Sequence, residues 1–351
     1  MKRSIISILL GLVLGAIGFF VAARSIKAPP QVVEVWPIVV AIGVMIVVWL
    51  IQGTILALLA WPELKNVRVL DMTRVYLATQ AAGAVTPFAG GEVAYQILEL
   101  KRRGLHADLG GAVVTIKSAM NGAVLVTGAL IGLLFIPDVP FVGSASNLPY
   151  SDIKILLGAT VAIAAVGATL AFVVRNRRRS GGKEERSEEK RGWRAEISDL
   201  RKKTFDFFRH LRESLVWIWR QEPRVVLACF GLMILYWALY PLLGTLALRA
   251  TGWDGSDWPL VFLSQFVLFL VIPLAPTPGN SGAAEVAFVA LMSDYVPHGA
   301  LLGGMLIWRI LNHYSELVVG AFIAGRHIQE DVKTAKHEVG EAGQEFGSDS
   351  G

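Results

Sequence analysis

A single cysteine, Cys229, in 351 residues leaves no intramolecular disulfide framework. Charge is scarce too. Asp, Glu, Lys and Arg make up 17% of the chain, whereas soluble domains carry about a quarter. Cys229 and the six histidines form no cluster at metal-ligand spacing. No Walker motif or nucleotide-binding glycine loop occurs, so no ATP engine is expected, and no cofactor. The net charge of +5 does not indicate nucleic acid. The basic residues sit in loops beside apolar runs, where the positive-inside bias accounts for them.

What remains is apolar: 54% of residues are hydrophobic and the mean hydropathy is +0.54. Several runs reach the ~18 residues of a spanning helix. The expected fold is an all-α polytopic membrane protein with about six full spans and two re-entrant helical hairpins. Residues 1–174 hold an uncleaved first span at 4–23, a span at 36–60, a hairpin at 75–100 and spans at 110–136 and 153–174. Residues 175–224 read as a charged cytoplasmic linker. Within it, Trp193, Ile197, Leu200, Thr204, Phe208, Leu211, Leu215 and Ile218 recur at helical spacing, predicting an amphipathic helix over 193–220 on the inner membrane surface. Residues 225–326 hold a span at 225–248, a hairpin at 258–296 and a span at 300–324. The tail, 327–351, reads as disordered and cytoplasmic. Loop charges put both termini in the cytoplasm of a cell (inner) membrane.

Two interruptions organise the pattern. Thr86-Pro87-Phe88-Ala89-Gly90-Gly91-Glu92 breaks one short apolar segment, and Thr277-Pro278-Gly279-Asn280-Ser281-Gly282-Ala283-Ala284-Glu285 breaks another. Irregular backbone at membrane depth persists only where protein covers it or a wet cavity meets it. Matched breaks in two halves point to a transport site. The span 153–174 opens the second half, so each half runs span, span, hairpin, span. An odd number of crossings per half inverts one relative to the other. Lys117 follows Thr86 by 31 residues and Arg309 follows Thr277 by 32. Glu92 and Lys117 are 25 apart, Glu285 and Arg309 24 apart.

A charge at such depth persists when it is paired or faces a polar cavity. Lys117 has Asn121 one turn on. Arg309 has Asn312, His313 and Glu316 at i+3, i+4 and i+7, which reads as one polar helix face. One reading pairs Glu92 with Lys117 and Glu285 with Arg309 simply to dock the hairpins. The other makes the same parts an anion site: helices restarting after Gly91 and Gly282 aim positive ends at the midplane beside Lys117 and Arg309. Glu92, Glu285 and Glu316 limit the positive charge, and Thr86, Thr277 and Asn280 add neutral donors. His313 is a candidate for proton coupling.

These residues resemble a known family. Thr86-Pro87-x-x-Gly90-Gly91-Glu92, continuing through Gln96-Ile97-Leu98 to Lys101-Arg102-Arg103-Gly104, looks like the first signature of the lysylphosphatidylglycerol synthase transmembrane family, also called flippase-like. Pro276-Thr277-Pro278-Gly279…Gly282…Glu285, then Trp308-Arg309…Tyr314, looks like its second. Usual members have Pro-Gly-Gly-x-Gly there, and Asn280 takes the place of the second glycine. The resemblance covers roughly residues 1–330. It implies lipid translocation, with membrane lipids bearing anionic head groups as partners. Carried over, the site comprises Thr86, Gly91, Glu92, Thr277, Gly279, Glu285 and Arg309. Some members continue into a soluble aminoacyl transferase, which is not seen in this chain, so synthesis of lysyl lipid is not expected.

The expectation is therefore a non-enzymatic flippase for an anionic or zwitterionic phospholipid, aminoacylated or glycosylated forms included. A homo-oligomer is compatible with the sequence. The alternatives are a membrane-embedded transferase with Glu92 or Glu285 as base, and a non-transporting scaffold docking partners through 193–220. With Cys229 replaced, single cysteines at Ser144, Ser187 and Gly255 test the topology. A membrane-impermeant thiol reagent added outside should label the first and last only.

Overall fold

The computed structural model describes residues 33–64, 66–86, 91–136, 222–275 and 277–326. The expected spans 4–23 and 153–174, the helix 193–220, the tail 327–351 and residues 87–90 of the first break lie outside the described residues. Within them, every regular element is helical.

α1, Val35–Ala60, is apolar throughout, and its Pro37 sits in the first turn, where a missing N–H costs nothing. α2, Val69–Ala84, begins six residues before the apolar stretch expected from 75. α3, Gly91–Arg102, has Glu92 in its first turn and Lys101 and Arg102 in its last, complementing the helix dipole at both ends. α4 is Ala107–Phe135. α5, Pro223–Leu239, leads through Tyr240 and Pro241 into α6, Leu242–Ala250. α7, Trp258–Val271, runs into a 3₁₀ turn at Ile272–Leu274, and a second such turn covers Pro278–Asn280. α8 is Ala283–Met292 and α9 is His298–Arg309. A π-helical turn, Ile310–Tyr314, carries α9 into a further helix over 315–326.

Among the described residues, three stretches are long and apolar enough to cross a membrane: Val35–Ala60, Leu109–Phe135 and Pro223–Ala250. With 16 and 12 residues, α2 and α3 reach only ~24 and ~18 Å at 1.5 Å per residue. With 14 and 10 residues, α7 and α8 reach ~21 and ~15 Å. Neither pair has a member matching the ~30 Å hydrocarbon core. Each pair packs together across its break, α2 on α3 and α7 on α8. α3 then packs on α4, and α8 on α9.

Glycines let several of these helices pack closely. Cβ atoms on Gly128 and Gly132 of α4 would meet the Phe266 ring at 2.2 Å and the Leu263 carbonyl oxygen at 2.9 Å, both on α7. A Cβ on Gly320 would meet the Leu77 carbonyl oxygen, on α2, at 2.0 Å. α4 thus lies close on α7, and the 315–326 helix close on α2. Gly128 and Gly320 also stand 11 residues beyond Lys117 and Arg309 respectively. Small residues permit such approaches where dispersion, rather than water exclusion, holds helices together.

Polarity is distributed inside out. Val39, Ile46, Leu134, Phe135, Leu227, Val318 and Phe322 are exposed, while Gln52, Gln265, Lys117, Glu285, Arg309, Asn312 and Glu316 are buried. Gly320→Ala should force the 315–326 helix off α2 and lower stability by about 1–3 kcal/mol, read as a lower unfolding midpoint in detergent. Gly231→Ala, with open space around its Cβ, should not lower it.

Candidate functional site

The second break is built on left-handed backbone. Gly279, Asn280 and Gly282 have φ of 60°, 54° and 88°. Asparagine is among the few side chains that tolerate this region, which explains how Asn280 can stand at a family glycine. The Thr277 hydroxyl donates to the Ser281 carbonyl at 2.9 Å, and the Asn280 N–H donates to the Thr277 carbonyl at 3.0 Å. A Cβ on Gly279 would lie 2.7 Å from the His313 ring and 3.2 Å from the Ala84 carbonyl oxygen. Ala84 ends α2, so the two breaks meet, with His313 beside them.

At the first break the Thr86 hydroxyl lies 3.1 Å from the Ala82 and Gly83 carbonyls, to which it donates, and accepts the Gly91 N–H at 2.7 Å. It joins the end of α2 to the start of α3. A Cβ on Gly91 would strike the Ala82 carbonyl oxygen at 2.7 Å. Both threonines therefore hold their hairpins closed and spend their hydroxyl protons locally.

Glu285 does two things at once. One carboxylate oxygen accepts the Gly282 N–H at 2.7 Å, capping α8, and the other accepts the Arg309 Nε–H at 2.7 Å. Both side chains are at most 5% exposed. The guanidinium lies 5.7 Å from the Trp308 ring centroid. Arg309 Nη2, Asn280 Oδ1 and Asn312 Oδ1 are buried without a hydrogen-bond partner among the described residues.

The first half does not copy this. No ion pair within 4.0 Å joins Glu92 to Lys117 among the described residues, so the expected docking pair is not closed. Lys117 is 8% exposed. Its ammonium lies 5.2 Å from the Tyr76 ring centroid, within electrostatic reach of Glu92 and Glu316. Asn121 accepts the Trp237 indole N–H at 3.0 Å, tying α4 to α5.

Glu316 is held by neutral donors from two other helices. One oxygen accepts the Trp49 indole N–H and the Tyr76 hydroxyl, each at 3.1 Å, and the other faces the Gln80 amide at 3.4 Å. Arg309, Asn312, His313 and Glu316 are all buried or half-buried, and a π turn is inserted into the helix that carries them. The π turn falls between the charges: Arg309 engages α8, while Glu316 engages α1 and α2. Tyr236 and Tyr240 lie within electrostatic reach of Glu316. From them an aromatic series runs through Trp237, Phe269 and Trp308 to Phe288. Trp49, Tyr76, Gln80, Tyr236 and Tyr240 escape a reading based on charges and breaks. The pairs Tyr76/Gln80 and Tyr236/Tyr240, at i,i+4 in apolar helices, are the signal that could have found four of them.

A helical bundle with apolar outer faces and a charged, aromatic-lined interior defines a membrane protein. The sequence profile of the lysylphosphatidylglycerol synthase TM region family matches residues 4–320, and the chain belongs to that family. A stretch of 115 residues, 32% of the chain, is 27% identical to a UPF0104 membrane protein of Archaeoglobus fulgidus, and the match spans 34% of that relative.

Removing one partner of a buried ion pair costs about 3–5 kcal/mol, because the other charge is stranded. Glu285→Gln and Arg309→Met should each destabilise on that scale in detergent unfolding. The double variant should lose much less than the two single losses combined.

Proposed function

We propose that this protein is a lipid flippase of the cell membrane, moving an anionic or zwitterionic phospholipid between leaflets through a polar passage at mid-bilayer. α2–α3 and α7–α8 act as re-entrant hairpins entering from opposite faces, related by an inverted repeat, with both termini cytoplasmic. The observation that carries this reading is the contact of the two breaks at Ala84, Gly279 and His313, in an interior that also buries a lysine with no direct carboxylate partner among the described residues. The reciprocal glycine seams of α4 on α7 and of 315–326 on α2 support the repeat.

In this reading the Lys117 ammonium is the free cation that meets the lipid phosphate. Arg309 offers its unpartnered Nη2 while its Nε holds Glu285. The exposed apolar faces of α1 and 315–326 border acyl chains, and only the head group needs the interior. Thr86, Thr277 and Asn121 serve by fixing the hairpins and α4.

The test is leaflet exchange of head-group-labelled lipid in vesicles reconstituted with the protein. A charged hydrogen bond contributes about 1.5–3 kcal/mol, so Lys117→Met should slow exchange by about ten- to a hundredfold, with Lys117→Arg closer to wild type. Exchange no faster than in protein-free vesicles, across a panel of head groups, refutes the reading. Formation of a chemically altered lipid would favour a transferase instead.

A further inference from the structure

The charges gathered around the two breaks do not balance. Glu285 is matched by Arg309, whereas two carboxylates, Glu92 and Glu316, stand within electrostatic reach of the one ammonium of Lys117. Glu99 pairs separately with Arg102 at 2.6 Å. Of the other expected spans, residues 4–23 contain no Asp, Glu, Lys, Arg or His, and 153–174 contain Lys154 alone, at the second position. An unmatched charge in a low-dielectric interior is costly, and the ordinary relief is a proton or an external cation.

The geometry says which carboxylate is spare. Glu285 is committed to Arg309 and to the Gly282 N–H. Glu92 stands in the first turn of α3, where the helix dipole favours its charge, and Lys117 is the cation within its electrostatic reach. Glu316 lies mid-helix, just past the π turn, and no cation among the described residues lies within 4.0 Å of it. The groups facing it are Trp49 of α1, Tyr76 and Gln80 of α2, Glu92 of α3, Lys117 of α4, and Tyr236 and Tyr240 where α5 ends. On its own helix, Arg309 and His313 precede it.

We propose that Glu316 is the proton-binding carboxylate of the exchange cycle. The shell suits both forms. Ionised, the carboxylate accepts from the indole, the phenol and, at 3.4 Å, the Gln80 amide. Protonated on the oxygen facing Gln80, it donates to that side chain once the amide turns to present its carbonyl, while Trp49 and Tyr76 keep their bonds to the other oxygen. The step is carboxylate plus proton to carboxylic acid, with no other bond made or broken. His313 is the less suited proton site: a charge there would stand one turn from Arg309, which is already positive. The inference rests on the lipid-exchange reading for its role in a cycle, but the proton site can be tested alone.

Infrared pH-difference spectra of the full chain in vesicles are the decisive measurement. Wild type should show the carbonyl stretch of a buried protonated carboxyl appearing as pH falls. Glu316→Gln, which keeps the shape and the oxygen facing Trp49 and Tyr76, should lose that band. Tyr76→Phe, which keeps the carboxyl but removes one donor, should move the band's titration midpoint. In the exchange assay the wild-type rate should change several-fold with pH, and Glu316→Gln should be flat. A band or pH profile that survives in Glu316→Gln, or is lost only in Glu92→Gln or His313→Gln, overturns the assignment, as does the absence of any band in wild type. If no lipid exchanges under any condition, the transport reading falls while the infrared result still decides the proton site.

Discussion

A guanidinium buried in an apolar bundle must be answered by a carboxylate, and here that one requirement ties two irregular pieces of chain together. Arg309 is matched by Glu285 at 2.7 Å, and the same carboxylate caps the first amide ahead of α8. The pair thereby fixes where α8 starts, how the second hairpin sits on α9, and where the left-handed residues before it must lie. Breaking either partner strands a charge. The second break is therefore the firm side of the interior.

The first break is organised differently. Its helices are joined by a neutral hydroxyl, Thr86, rather than by an ion pair across to α4. Lys117 is left against the face of Tyr76, with Glu92 and Glu316 at a distance. Two halves with the same order of charges have thus reached one closed pair and one open cation. On the proposed lipid-exchange reading, such asymmetry would separate holding the fold together from meeting the ligand. The aromatic series from Tyr236 through Trp237, Phe269 and Trp308 lies among these groups, so polarity is confined without being continuous.

Much of this was legible in the chain because its causes are local. Proline and glycine mark both breaks, and the apolar run of α1 has no rival reading. Glu285 and Arg309 lie on successive helices at a spacing that brings them together. Other features depend on how helices rotate against one another, which no local pattern records. Thr86 and Thr277 look like ligand donors until their carbonyl partners are seen. Asn121 looks like a companion of Lys117 but answers Trp237 from α5. Trp49, Tyr76 and Gln80 become a shell only when α1 and α2 are set around Glu316. The π turn has no herald at all, for Ile310-Leu311-Asn312-His313-Tyr314 contains neither glycine nor proline.

That turn has a geometric consequence for everything after it. In an α-helix each residue occupies about 100° of arc, so positions seven apart nearly eclipse, and Arg309 and Glu316 would face the same side of the bundle ~10.5 Å apart. The wider turn dephases them, letting one helix serve as an axle with two independently aimed spokes. Any change of twist within Ile310–Tyr314 would turn the carboxylate relative to the guanidinium.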